Sequence, residues 1–166
     1  MDFNDINSIK KAGFVGFKTI AELFVNDSEI PKIKGVYMVL HYDTKAPNFL
    51  DTGTGGHFKG KDPNIKVSEL KNEWVDGAKV VYIGKAGSIT GSATLYKRLR
   101  QYFGFGQGKN IGHYGGRLIW QINDSKNLIV CWKPLPNDEP GEVESSLIQD
   151  FRFQFKKRPF ANLKDQ

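Results

Sequence analysis

Two short apolar runs constrain the fold most. Gly35-Val36-Tyr37-Met38-Val39-Leu40 and Lys79-Val80-Val81-Tyr82-Ile83 are rich in β-branched and aromatic residues and apolar at successive positions. A strand alternates its side chains between faces, so such runs suit central strands covered on both sides. Pro31 precedes the first run and Gly84 ends the second. At 166 residues the chain has the size of one ordinary domain. No internal repeat is visible, and the whole reads as mixed α and β structure.

Other elements follow from periodicity and breakers. Between the two strands lies an insert at about 43–77, with a short helix at about 67–74. Connections this long inside a compact domain are usually functional. A glycine- and serine-rich loop then leads into a helix at about 93–103, whose stripe of Leu95, Leu99, Tyr102 and Phe103 has helical spacing. Gly104, Gly106 and Gly108 are expected to end it. The runs 117–122 and 128–132, separated by five polar residues, read as a hairpin. A last helix is expected at about 141–155. Residues 1–33, with a short helical pattern at 20–24, read as an extension packed on a main domain of 34–166.

Composition narrows the function classes. Lysine and arginine number 24 against 18 acidic residues, a net charge of +6, which favours a polyanionic partner as a prior. Cations and rings interleave in Tyr96-Lys97-Arg98-Leu99-Arg100-Gln101-Tyr102-Phe103 and again in Phe153-Gln154-Phe155-Lys156-Lys157-Arg158-Pro159-Phe160. Phosphate contact and base stacking need those two residue types together. The single cysteine, Cys131, excludes an internal disulfide and a cysteine-rich zinc site. No apolar run approaches the roughly 18 residues of a membrane span, and Met1-Asp2-Phe3-Asn4-Asp5 lacks the basic flank of a secretion signal, so a cytoplasmic address is expected.

Familiar catalytic motifs are absent. Gly91 is followed by Ser92 and Ala93, which fails the P-loop pattern, and Gly104, Gly106 and Gly108 follow a helix, which fails the dinucleotide fingerprint. His41, His57 and His113 show no pair at metal-binding helical spacing, and no serine sits in a nucleophile elbow.

Three placements carry interest. Glu144 lies three and four residues ahead of Leu147 and Ile148, which puts a carboxylate at the head of the last helix's apolar stripe. It either serves the positive end of the helix dipole or needs an inward partner, a magnesium ion being one candidate. Arg98 and Tyr102, four residues apart, share one helix face, and a solvated arginine is the simpler account. Tyr37 and Tyr82 each lie in a strand, where core packing is the commoner role.

Taken in order, Gly35-Val36-Tyr37, Tyr82-Ile83-Gly84-Lys85-Ala86, the 95–102 segment with Arg98, Glu144 in Glu144-Ser145-Ser146-Leu147-Ile148, and Asn162 in Pro159-Phe160-Ala161-Asn162 resemble the GIY-YIG nuclease domain. The resemblance spans about 34–163 and includes restriction-enzyme and excision-repair branches. It implies an α+β fold, a small antiparallel sheet of three core strands plus an extra hairpin strand, flanked by helices, with Tyr37 and Tyr82 on adjacent strands.

The resemblance also implies roles. Tyr37 looks like the tyrosine that helps deprotonate the attacking water, and Tyr82 like the second site tyrosine. Arg98 is similar to the arginine on the scissile phosphate, and Glu144 to the sole carboxylate ligand of one Mg2+ or Mn2+ ion. Lys85 and Tyr102 match supporting residues of the repair branch, and Asn162 a terminal asparagine that stabilises the site. Lys85, Arg98, Arg100 and Arg117 are the expected nucleic-acid contacts. The long insert resembles the restriction branch. His113, in His113-Tyr114-Gly115-Gly116-Arg117, lies outside the shared motifs and is a candidate phosphate contact or proton relay, or a structural histidine.

The expected function is therefore a metal-dependent endonuclease acting on DNA. A phenol titrates near pH 10, so Tyr37 acts as a base only if a cation such as Lys85 lowers it, and otherwise it positions the water. The alternatives are a catalytically silent nucleic-acid-binding module and a nuclease whose substrate is RNA. No helix-turn-helix or zinc-finger pattern supplies base readout, so the insert, with His57-Phe58-Lys59-Gly60-Lys61, is where target reading is expected. Cutting both strands of a palindrome with one site per chain favours a two-fold homodimer.

Overall fold

The computed structural model describes residues 1–43 and 45–163. Its helices are α1 (Ile6–Lys11), α2 (Ile20–Val25), α3 (Val67–Glu73), α4 (Leu95–Gly106) and α5 (Pro140–Phe155), and its strands are β1 (Val15–Thr19), β2 (Gly35–Leu40), β3 (Val80–Ala86) and β4 (Ile129–Pro134). The strands form one antiparallel sheet in the order β1-β4-β2-β3. The α+β class, with a small antiparallel sheet between helices, is as expected.

All six residues of β2 are buried, which explains their unbroken apolar character. Tyr37 and Val39 point into one core with Tyr82, Val130 and Trp132. Val36, Met38 and Leu40 point into a second core with Ile83, Cys131, Ile148 and Phe151. Helices α2, α3 and α4 cover the first face, and α1 and α5 the second.

The sheet departs from expectation in its fourth strand. Residues Arg117–Gln121 form a 3-10 turn, not a hairpin strand, and the fourth strand is β1, from the segment read as an extension. Leu118, Ile119, Trp120 and Gln121 are all buried, as in a two-sided strand, and the contacts of Trp120 and Gln121 set the turn instead. Gln121 is consumed by the insert: its Oε1 accepts from Ile65 N at 2.9 Å, and its Nε2 donates to Ile65 O at 2.9 Å and Leu50 O at 3.0 Å. Phe49 and Ile122 add an isolated bridge. β1 is masked in sequence by a bulge, with Phe17 at φ 56° and Gly16 lying against the Trp132 ring.

Helix α4 also runs past its expected end, through Gly104 and Gly106. A Cβ on Gly106 would fall 2.4 Å from the Trp120 ring, so this glycine serves close packing and does not break the helix. The outer edge of β3 is covered by the C-terminal segment, where Ala161 N donates to Val81 O at 2.8 Å. Among the described residues no helix is long and apolar enough to cross a membrane.

Candidate active site

Register brings the tyrosines together. Tyr37 faces Gly84 across the β2–β3 pair and Val39 faces Tyr82, so the two tyrosines are diagonal neighbours on one face. Their ring centroids are 6.0 Å apart. Tyr102, from α4, completes a triangle at 6.2 Å from Tyr37 and 5.6 Å from Tyr82.

Two glycines make the triangle fit. A Cβ on Gly84 would lie 2.4 Å from Tyr37 Cζ, so the ring lies across the strand only because that side chain is missing. Gly116, at φ 74°, would put a Cβ 2.6 Å from the Tyr102 hydroxyl and 2.7 Å from Tyr82 Cζ. Its carbonyl accepts from the Tyr102 hydroxyl at 2.6 Å, which fixes that phenol as a strut. In sequence Gly116 reads only as a turn residue; its part in holding the site emerges from the packing.

The charged members come from two helices. Thr94 caps α4 by accepting from Lys97 N, and Arg98 then lies one turn before Tyr102, half-buried. Its guanidinium acts on Tyr37, Tyr82, Tyr102, His113 and Glu144. Helix α5 starts with Pro140 at its first turn and buries Glu144, Ile148 and Phe151 on one face. Glu144 is 4% exposed, and its Oε2 has no hydrogen-bond partner. Burial pushes its carboxyl up to about 7, against the pull of Lys85 first and Arg98 second. Lys85 itself is exposed, on β3 beside the start of α5.

The phenols are held neutral. Burial raises Tyr37 well above its ordinary value, the neighbouring Tyr82 adds to the rise, and Arg98 opposes it. Burial and then Glu144 push Tyr82 up to about 12. Lys85 therefore does not make Tyr37 a base: it acts on Glu144, and desolvation of the phenol outweighs the cation that does reach it.

Other expected site residues sit differently. His113 is 1% exposed and stacks on Tyr102 at 4.4 Å, with neither ring nitrogen bonded. Burial, helped by Arg98, pulls it down to about 3, so it stays a neutral imidazole and is no cationic phosphate contact. Asn162 pairs with the β3 backbone, accepting from Ile83 N at 2.9 Å and donating to Ile83 O at 2.9 Å. It braces the strand that carries Tyr82 and presents nothing to the cluster. Arg117 lies 3.9 Å over the Tyr114 ring. Arg100 donates to the Tyr96 hydroxyl at 3.1 Å and pairs with Asp27 at 3.8 Å, neither of them a member of the cluster.

Among the described residues no group of three or more His, Cys, Asp and Glu side chains gathers to hold a metal. The unpartnered Glu144 Oε2 is nevertheless what a single-carboxylate cation site requires, with water and substrate supplying the other ligands. Chemically, the arrangement offers one guanidinium fork, one carboxylate and two neutral phenols around a common point. Set against protein-family models, curated proteins and solved structures, the chain has no match in any of the three.

Proposed function

We propose that this chain is a divalent-cation-dependent endonuclease of the GIY-YIG kind that hydrolyses phosphodiester bonds in DNA. The observation that carries the reading is that Tyr37, Tyr82, Arg98 and Glu144, drawn from two strands and two helices, lie near enough to act on one another's charge. Arg98 grips the phosphoryl oxygens with a planar fork whose geometry lysine lacks. Glu144 would hold Mg2+ or Mn2+, which would supply charge neutralisation for the phosphoryl group.

Tyr37 and Tyr82 enter as neutral hydrogen-bonding groups that orient the attacking water, because both are held protonated at neutral pH. Tyr102, tied to Gly116 and stacked on His113, braces the tyrosine cluster from behind. Lys85, exposed beside the start of α5 and close enough to act on Glu144, contacts a flanking phosphate. A cytoplasmic address, DNA as partner and a two-fold dimer for double-strand cutting belong to the same proposal.

A titration of Mg2+ and Mn2+ on supercoiled plasmid, with the product ends mapped, tests it. The wild type is expected to nick or linearise the plasmid, and Arg98→Ala to slow the reaction by about 10²–10³. Equal rates for the two proteins contradict the assignment.

A further inference from the structure

Helix α4 serves two neighbours. Leu95, Leu99 and Tyr102 face the sheet. Tyr96, Lys97, Arg100 and Gln101 instead line a groove of about 850 Å3, walled opposite by α2 and the segment after it. None of Tyr37, Tyr82, Arg98 and Glu144 lines this groove.

The geometry points to a binding site for single-stranded nucleic acid in this groove. Its apolar lining combines Leu23 and Ile111 with rings: Phe24 is 42% exposed and meets the buried Phe103 edge-on at 6.1 Å. The Tyr96 ring is flanked by Lys32 Nζ at 5.2 Å and Arg100 Cζ at 5.4 Å from its centroid. Lys97 and Lys109 add two more exposed cations at the rim.

The groove's acid is Asp27, which is already engaged by the Tyr96 hydroxyl at 3.4 Å and by Arg100. Four cations thus stand against one carboxylate around the exposed Phe24 ring and the half-buried Tyr96 ring. Rings offer stacking to open base faces and the cations follow a phosphate chain, and base faces are open in a single strand but covered in a duplex. An acidic peptide would use the charges and leave the rings without a matching flat partner. The inference rests on the proposed function only for the class of polymer.

Fluorescence anisotropy with a fluorescein-labelled oligothymidylate dodecamer, in EDTA so that cleavage plays no part, decides it. Lys32→Glu/Lys97→Glu is expected to weaken binding at least about tenfold and to reduce the log-log salt slope by about 1.4, about 0.7 for each phosphate no longer neutralised. Phe24→Ala is expected to weaken binding by about tenfold and leave the slope unchanged. Far-UV circular dichroism and melting confirm that each variant is folded, and the charge reversals, being on exposed side chains, keep the test open if Phe24→Ala is not. Binding by the double variant within about twofold of wild type overturns the proposal. So does equal competition by a glutamate dodecamer, or a matched duplex that binds as well and weakens as much. Failure of plasmid cleavage leaves this result standing, so the two readings fail separately.

Discussion

Glu144 and His113 are both buried and ionisable, with Glu144 Oε2 and both ring nitrogens of His113 lacking hydrogen-bond partners, yet they load the fold at opposite ends of the pH scale. In the unfolded chain a glutamate ionises near 4.5, whereas folded Glu144 holds its proton to about 7. The folded state binds more protons between those values, so this group's contribution to stability falls as pH rises from 4.5 to 7 and stays lost above. In EDTA, Glu144→Gln is therefore expected to be more stable than wild type at pH 8 by about 1–3 kcal/mol and indistinguishable from it at pH 4, as read by calorimetry. His113 runs the other way. The unfolded imidazole takes a proton below 6.5 and the folded one only near 3, so stability falls as pH drops through that window, and His113→Phe is expected to flatten the acid limb of the melting curve. The inward face of Glu144 and the shared face of Arg98 and Tyr102 were legible, because helical spacing alone sets them. The engagement of Asn162 with Ile83, and of Arg100 with Asp27, was not, because each partner lies far away in sequence.

At the scale of elements, sequence pattern located β2, β3, β4 and all the long helices, but β3, read as a second central strand, is an edge strand whose apolar run is buried by helices and by the C-terminal segment. The pattern failed where a tertiary contact overrules local preference. Gly106 is the clearest case. Glycine to alanine inside an exposed helix ordinarily stabilises by about 1 kcal/mol. Here the added methyl would meet the Trp120 ring at 2.4 Å, so the sign reverses. Gly106→Ala is expected to destabilise by about 1–3 kcal/mol, read as a lower urea midpoint at unchanged m-value, and a raised midpoint would contradict the packing described. The same ring accounts for the absent hairpin: Trp120 must reach both Gly106 and Tyr102, which it meets edge-on at 5.3 Å, and the 3-10 turn delivers it there. The insert proves to be fastened through Gln121 and Asn64, the latter accepting from Gly53 N at 2.8 Å, so much of it is scaffold for the turn behind the site.

Across the whole molecule, a sheet with a core on each face lets two separate helical layers meet at one edge, and the candidate site lies where α4 and α5 both reach β3. The chain's end closes the first core: Phe160 is 1% exposed and packs on Trp74 at 5.4 Å and Phe49 at 5.6 Å. Phe160→Ala is expected to cost about 3–5 kcal/mol, a loss that thermal melting resolves easily. The central claim is that Glu144 and its neighbours form one hydrolytic centre, and Glu144→Gln isolates it, because that variant is expected to keep or gain stability. The most direct measurement is the single-turnover rate of plasmid cleavage in Mn2+ for wild type and Glu144→Gln at equal folded concentration. Wild type is expected to cut and the variant to lose at least about 10² in rate; equal rates, or a folded wild type that leaves the plasmid intact, would overturn the assignment.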